Sequence, residues 1–158
     1  MKKFVSGLLV IVLLAGVFSS CKKAKEALGI TTATWHIGTN TYTASVVTRV
    51  GTTQIIAEGS DGNSMQVFFT AIPTAGNTYK VVAESKVPAN TLASNEMAVE
   101  FNVGASDVYL STGTDNVYAT VSVDTEGTLT IDVPTIAVEH FAGAGSLGTT
   151  TADGHIED

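Results

Sequence analysis

The chain has 158 residues, a formal net charge of −7 and a single cysteine, which excludes an internal disulfide. Every carboxylate except Glu26 lies beyond Thr31, where the only cations are Arg49, Lys80 and Lys86. A body this acidic repels a phosphate backbone, so nucleic acid is excluded as a partner.

The chain opens on Met1, Lys2 and Lys3, then an apolar run from Phe4 to Phe18 broken only by Ser6, Gly7 and Gly16. That run is shorter than the roughly 20 apolar residues of a bilayer-spanning helix. It reads as the core of a signal peptide over residues 1–20, with small side chains at Ser19 and Ser20 before Cys21. Leu14–Cys21 resembles the lipobox of bacterial lipoproteins, with Phe18 where leucine is usual. The resemblance implies that Cys21 becomes the first residue, its thiol alkylated and its amine acylated. Each buried CH₂ of such chains contributes about 0.8 kcal/mol to anchoring. Ordinary cleavage near Ser20 is the alternative and leaves Cys21 as a free thiol. Residues 21–30 read as the lipidated cysteine and a short tether. Lys22, Lys23 and Lys25 either rest on anionic headgroups, at about 1 kcal/mol each, or form a solvated linker.

Residues 31–141 carry a period of two, interrupted by Gly, Asn, Asp and Pro at short intervals. Thr34–Ile37 opens the series, followed by a Gly38–Thr39–Asn40 turn and a strand with Tyr42, Ala44, Val46, Thr48 and Val50 on one face. Thr53–Glu58 and a Ser60–Asp61–Gly62–Asn63 turn follow. Met65, Val67, Phe69 and Ala71 then alternate with a second face that includes Phe68 and Ile72, which predicts a strand covered on both sides. Thr78–Ala83 precedes the longest connection, Lys86–Asn95. Glu96–Val103 has Met97, Val99, Phe101 and Val103 pointing in and Glu96, Ala98, Glu100 and Asn102 pointing out. Asp107–Thr112, Val117–Val123, Thr128–Val133 and Thr135–Phe141 complete the series, the last two divided by Pro134. The pattern predicts an all-β fold, an antiparallel sandwich or barrel of about nine or ten short strands. Residues 142–158, rich in Gly and Thr, read as a frayed tail or a last edge strand near Asp153–Glu157.

The order Ser19–Ser20–Cys21–Lys22–Lys23, the opening Trp35-His-Ile-Gly-Thr-Asn-Thr-Tyr42-Thr-Ala and the Thr-Ala-Gly-Asn-Thr-Tyr79 turn resemble the small β-rich lipoproteins common in Bacteroidota-type Gram-negative bacteria. The resemblance implies a lipid-anchored envelope protein, at the outer membrane. Lys22 and Lys23 stand where acidic residues accompany surface display in that group, which implies the periplasmic side.

Several patterns touch on chemistry. Gly143-Ala-Gly145-Ser-Leu-Gly148 matches a dinucleotide-binding fingerprint by letter, but the mechanism needs a following helix and strand, and only ten residues remain. Ser146, Asp153 and His155 follow hydrolase order without the parallel sheet a nucleophile elbow requires. His36, His140 and His155 lack metal-ligand spacing and read as isolated, exposed side chains. Asp61/Asn63, Asp115/Asn116 and Asp124/Glu126 place oxygens in turns, where calcium and plain turn chemistry compete. Trp35, Tyr42, Tyr79, Tyr109 and Tyr118 are the candidate ligand-facing aromatics, with Tyr109 and Tyr118 out of phase with their strands and therefore exposed.

The chain as a whole predicts a non-catalytic binding or scaffolding protein without cofactor or metal. It would be held to the membrane by lipid on Cys21 and meet an envelope protein or glycan through a sheet face or edge. The rival is a small glycan-binding or glycan-processing accessory, which would be favoured by a cleft pairing Glu96 or Glu100 with another carboxylate.

Overall fold

Residues 32–87, 91–143 and 145–158 are described by the computed structural model; the expected signal peptide, Cys21 and the tether lie outside them. The alternating segments form ten strands: β1 (Ala33–Ile37), β2 (Asn40–Val50), β3 (Gln54–Gly59), β4 (Ser64–Phe69), β5 (Asn77–Val81), β6 (Glu96–Val103), β7 (Asp107–Ser111), β8 (Tyr118–Val123), β9 (Leu129–Ala142) and β10 (Gly145–Glu157). Turns fall where positive φ is needed: Gly38, Gly104 and Gly143 end β1, β6 and β9, and Asp61 adopts φ 60° between β3 and β4.

The strands make one sheet that closes on itself, so of the two expected architectures the chain adopts the barrel. Neighbours run β10-β1-β2-β3-β4-β6, and two routes then lead from β6 to β9. Near the hairpin end, β7 alone bridges Glu100–Val103 of β6 to Val138–Ala142 of β9. Near the other end, β5 and β8 fill the same gap. The β5–β6 pairing is parallel, the one departure from the expected antiparallel order. It arises because β5 reaches β6 through the long 82–95 connection instead of a hairpin.

Where β7 gives way to β5 along β6, the ladder is interrupted, and a serine repairs it. Ser111 Oγ accepts the Val99 N–H at 3.1 Å and donates to the Val82 carbonyl at 2.7 Å. The matching gap on β9 is filled by the next few residues. Thr112 N–H donates to the Ala137 carbonyl at 3.2 Å, and the Asp115 carboxylate accepts the Ala137 N–H. Backbone groups are thereby satisfied at both junctions, buried ones at Ser111.

Inward side chains pack the barrel. Trp35, Ile55, Met65, Phe69, Met97, Phe101, Leu129, Ile131 and Ile156 are all fully buried. The indole N–H of Trp35 has no protein partner, a penalty of about 1–3 kcal/mol that burial of the ring must outweigh. A smaller cluster outside the barrel joins Val82, Leu92 and Ala98 to Phe68 and Val87. The second face of β4 is covered, as Phe68 predicted, and Ala98, expected to point out to solvent, is buried under the same cover.

Four further expectations are corrected. Pro134 does not end a strand: β9 runs through it, because a bulge there sets Pro134 and Thr135 against a single residue of β10 and removes the need for a proline donor. A second bulge, between Ala44 and Val46, shifts the phase of β2, so Val47 turns inward while Thr48 and Val50 are exposed. Ala71 lies beyond the end of β4 and is exposed. The C-terminal segment is neither a tail nor an edge: β10 pairs with β9 on one side and β1 on the other, and the compact unit runs from Thr31 to Asp158. Its glycines suit this position. A Cβ on Gly154 would sit 2.5 Å from Met65 Sδ and 3.3 Å from Trp35 Cβ, so glycine lets β10 lie against the core.

The junction makes a direct prediction. Ser111→Ala leaves two buried backbone groups without partners and should lower the unfolding free energy by about 1–3 kcal/mol in urea denaturation. A loss below about 0.5 kcal/mol, the range of ordinary surface changes, would mean that the junction is satisfied otherwise.

Candidate functional site

The barrel's register gives each histidine an aspartate. His36 Nδ1 lies 2.7 Å from Asp153 Oδ1, His155 Nδ1 lies 2.6 Å from Asp132 Oδ1, and His140 Nε2 lies 2.7 Å from Asp107 Oδ1. The imidazole N–H donates in each pair, since an ionised carboxylate can only accept. The histidines stand singly on strands, and each has an aspartate partner that sequence spacing does not show, 117, 23 and 33 residues away.

Two of the pairs share the outer face. Across four adjacent strands the register aligns Thr34 of β1, His155 of β10, Asp132 of β9 and Thr120 of β8. The next row holds His36 beside Asp153, then the Pro134 bulge and Tyr118. The bulge interrupts the ladder between the rows, and the surface there forms an open depression of about 530 Å³ lined by these side chains. Tyr118 is 51% exposed, the one candidate aromatic with its ring largely in solvent. Rigid strands fix both His–Asp pairs, so the polar groups are held in place before any ligand arrives.

The third pair sits at the hairpin end. Tyr109 stacks on His140 at a centroid distance of 4.2 Å and an interplanar angle of 8°. Ser106 Oγ donates to Asp107 Oδ2 at 3.0 Å. A hollow of about 300 Å³ beside the stack is rimmed by Leu147, which is squeezed out of the ladder at a bulge in β10. Tyr109 pairs in register with Phe101, a core residue, so it faces inward and is half-buried instead of exposed as its strand phase suggested. Burial, then the nearby Asp107 carboxylate and Tyr42, push its phenol above the usual value. The hydrogen bond from His140, then the one from Ser106, hold the Asp107 carboxyl below the usual range.

The candidate aromatics do not form one platform. Trp35 is fully buried and stacks on half-buried Tyr42 at 5.9 Å; Tyr79 is buried edge-on to Phe69 at 5.2 Å. Their role is packing. Of the five, only Tyr118 is largely exposed on the surface it lines, and the residues that complete that surface, His36, Asp132, Asp153 and His155, were not predicted as a site.

The remaining motifs find structural uses. Gly143 follows β9 with φ 61° and Gly145–Gly148 starts β10, with no helix after it among the described residues. Ser146 and Asp153 lie on the same extended strand, roughly 23 Å apart along it, and cannot converge. Asp124 Oδ1 accepts the Glu126 and Thr128 N–H groups at 2.8 Å each, and Asn63 Oδ1 accepts the Gly104 N–H at 3.1 Å. Among the described residues no three His, Cys, Asp or Glu side chains gather as a metal-binding group. Glu96 and Glu100 stand on the outside of β6. Glu96 Oε2 accepts the Ala93 N–H at 3.0 Å, and Glu100 Oε1 accepts from Asn102 Nδ2 at 2.8 Å. Burial, then the charge of Glu100, raise the Glu84 carboxyl above its usual value.

No protein-family model, curated protein or solved structure matches this chain.

The Asp107–His140 pair predicts a pH effect with a definite sign. A carboxyl held low in the folded state stabilises the fold above the ordinary carboxylate range, and that contribution is lost as pH falls through the depressed value. In a carbon-detected NMR titration, His140→Ala should move the Asp107 midpoint upward, toward an ordinary aspartate. An unchanged midpoint would show that the imidazole does not hold the carboxylate.

Proposed function

We propose that the protein is an exported, non-catalytic binding module, tethered to the envelope by lipid on Cys21, that meets its partner on the outer face of β1, β10, β9 and β8. The observation that carries this reading is the depression around Tyr118, where polar side chains are already fixed in pairs on a rigid sheet. Among the described residues every strand has neighbours on both sides. Strand addition at a free edge, the other expected docking mode, is therefore not offered, because ring closure uses the edges. The carboxylates that would have marked a glycan-processing cleft stand on the outside of β6, where Glu96 holds the Ala93 N–H and Glu100 the Asn102 side chain, which favours binding over hydrolysis.

The anchor follows from Ser19, Ser20 and Cys21, and Lys22–Lys23 favour the periplasmic side of the outer membrane. The intact mass of protein extracted from membranes should correspond to a chain that begins at acylated Cys21, and Cys21→Ser should move the protein to the soluble fraction. An unmodified parent chain recovered in the soluble fraction would rule out the lipid anchor.

A further inference from the structure

We infer that the depression around Tyr118 is a binding site for an uncharged saccharide. The inference rests on the outer-face reading above and adds the class of ligand. Charge is the first constraint. The lining holds two carboxylates, each with its imidazole, and neither lysine nor arginine. Lys80 lies across from Tyr118 on β5 but outside the lining. A phosphate or a polyanion would meet Asp132 and Asp153 inside the depression, with Lys80 the one cation at its edge among the described residues. A metal ion is disfavoured as well, since each aspartate already gives Oδ1 to a histidine and no third ligating group joins them among the described residues.

Hydrogen-bonding capacity is the second constraint. With Oδ1 of each aspartate occupied, Oδ2 is left to accept from a ligand, and a bond from a hydroxyl to a carboxylate is among the stronger neutral-to-charged kinds. Each imidazole donates from Nδ1, which leaves Nε2 to meet a ligand, and the Thr34 and Thr120 hydroxyls both donate and accept. A ligand matching this set needs many donors at short spacing and some acceptors, with no net charge. Sugar hydroxyls have that character.

Shape is the third constraint. The depression is open, suiting a ring laid against a surface more than a ligand swallowed by a cavity. The exposed face of Tyr118 offers apolar area for the C–H side of a pyranose, with polar groups arranged beside it. The side chains stand on paired strands, so little conformational entropy is lost on binding.

The test is an NMR titration of the folded domain, Thr31–Asp158, which is a compact unit by itself. The probes are maltotetraose, cellotetraose, mannotetraose and N-acetylated chitotetraose, each to about 10 mM, above the range expected for a shallow sugar site. At least one should produce saturable shifts at Thr34, Tyr118 and Thr120 while leaving Tyr109 and His140 unmoved. Tyr118→Ala should weaken that binding by about tenfold or more. Asp132→Asn, which keeps the shape, should weaken it as well and guards against a misfolded alanine variant. No saturable shift with any of the four, shifts that survive Tyr118→Ala, or preferential binding of polygalacturonate would each overturn the inference. If all four sugars fail while a photocrosslinker at position 118 captures an envelope protein in cells, the saccharide is wrong and the outer-face reading stands.

Discussion

A sheet that closes on itself must satisfy the backbone groups on both sides of every strand, and in this chain that requirement falls on the last strand. β10 lies between β9 and β1, and its far end is fastened three ways. The Glu157 N–H donates to the Thr32 carbonyl at 2.7 Å, the Asp158 N–H donates to the Leu129 carbonyl at 2.9 Å, and the Asp158 carboxylate bonds Arg49, which also reaches the Gly127 carbonyl at 3.0 Å. The exposed ion pair contributes at most about 1 kcal/mol. The larger contributions are the ladder and the burial of Ala152, Gly154 and Ile156 against the core. Without β10, the apolar faces of β1 and β9 would each lose a neighbour.

The same closure assembles the candidate site. His155 belongs to β10 and bonds Asp132 of β9; Asp153 belongs to β10 and bonds His36 of β1. Each pair therefore bridges a seam on one side of the closing strand. The Pro134 bulge that lets β9 pass from β8 to β7 also indents the surface between the two pairs. Fold and site thus share one cause, and a change that loosens β10 should disturb both.

Much of the fold was legible in the sequence because the signal was local. Period-two alternation located β1, β6, β7 and β8 nearly to their ends, and Gly, Asn and Asp marked the turns through the positive φ they tolerate. What was not legible depended on partners. Pro134 reads locally as a strand end, and only the bulge against Asp153 lets the strand continue. The C-terminal glycines read as a tail because glycine has little strand propensity, but Gly154 is required by the closeness of Met65 and Trp35. Cys21 and the signal peptide rest on the sequence alone. Of the five aromatics singled out, only Tyr118 took part in the site, since the orientation of the others is set by register and core packing. The His–Asp pairs were invisible for the same reason: sequence spacing carries no information about which strands become neighbours across a closing ring.

Native-state amide hydrogen exchange distinguishes a β10 that is an integral stave of the barrel from one that is appended to it. As a stave, β10 should exchange the amides of Ala152, Gly154 and Ile156 only through the same global opening as those of Val99 and Phe101 in β6. If the β10 amides exchange through a much smaller opening while β6 stays protected, the strand is an appendage, and neither the closed ring nor the site built across its seams survives.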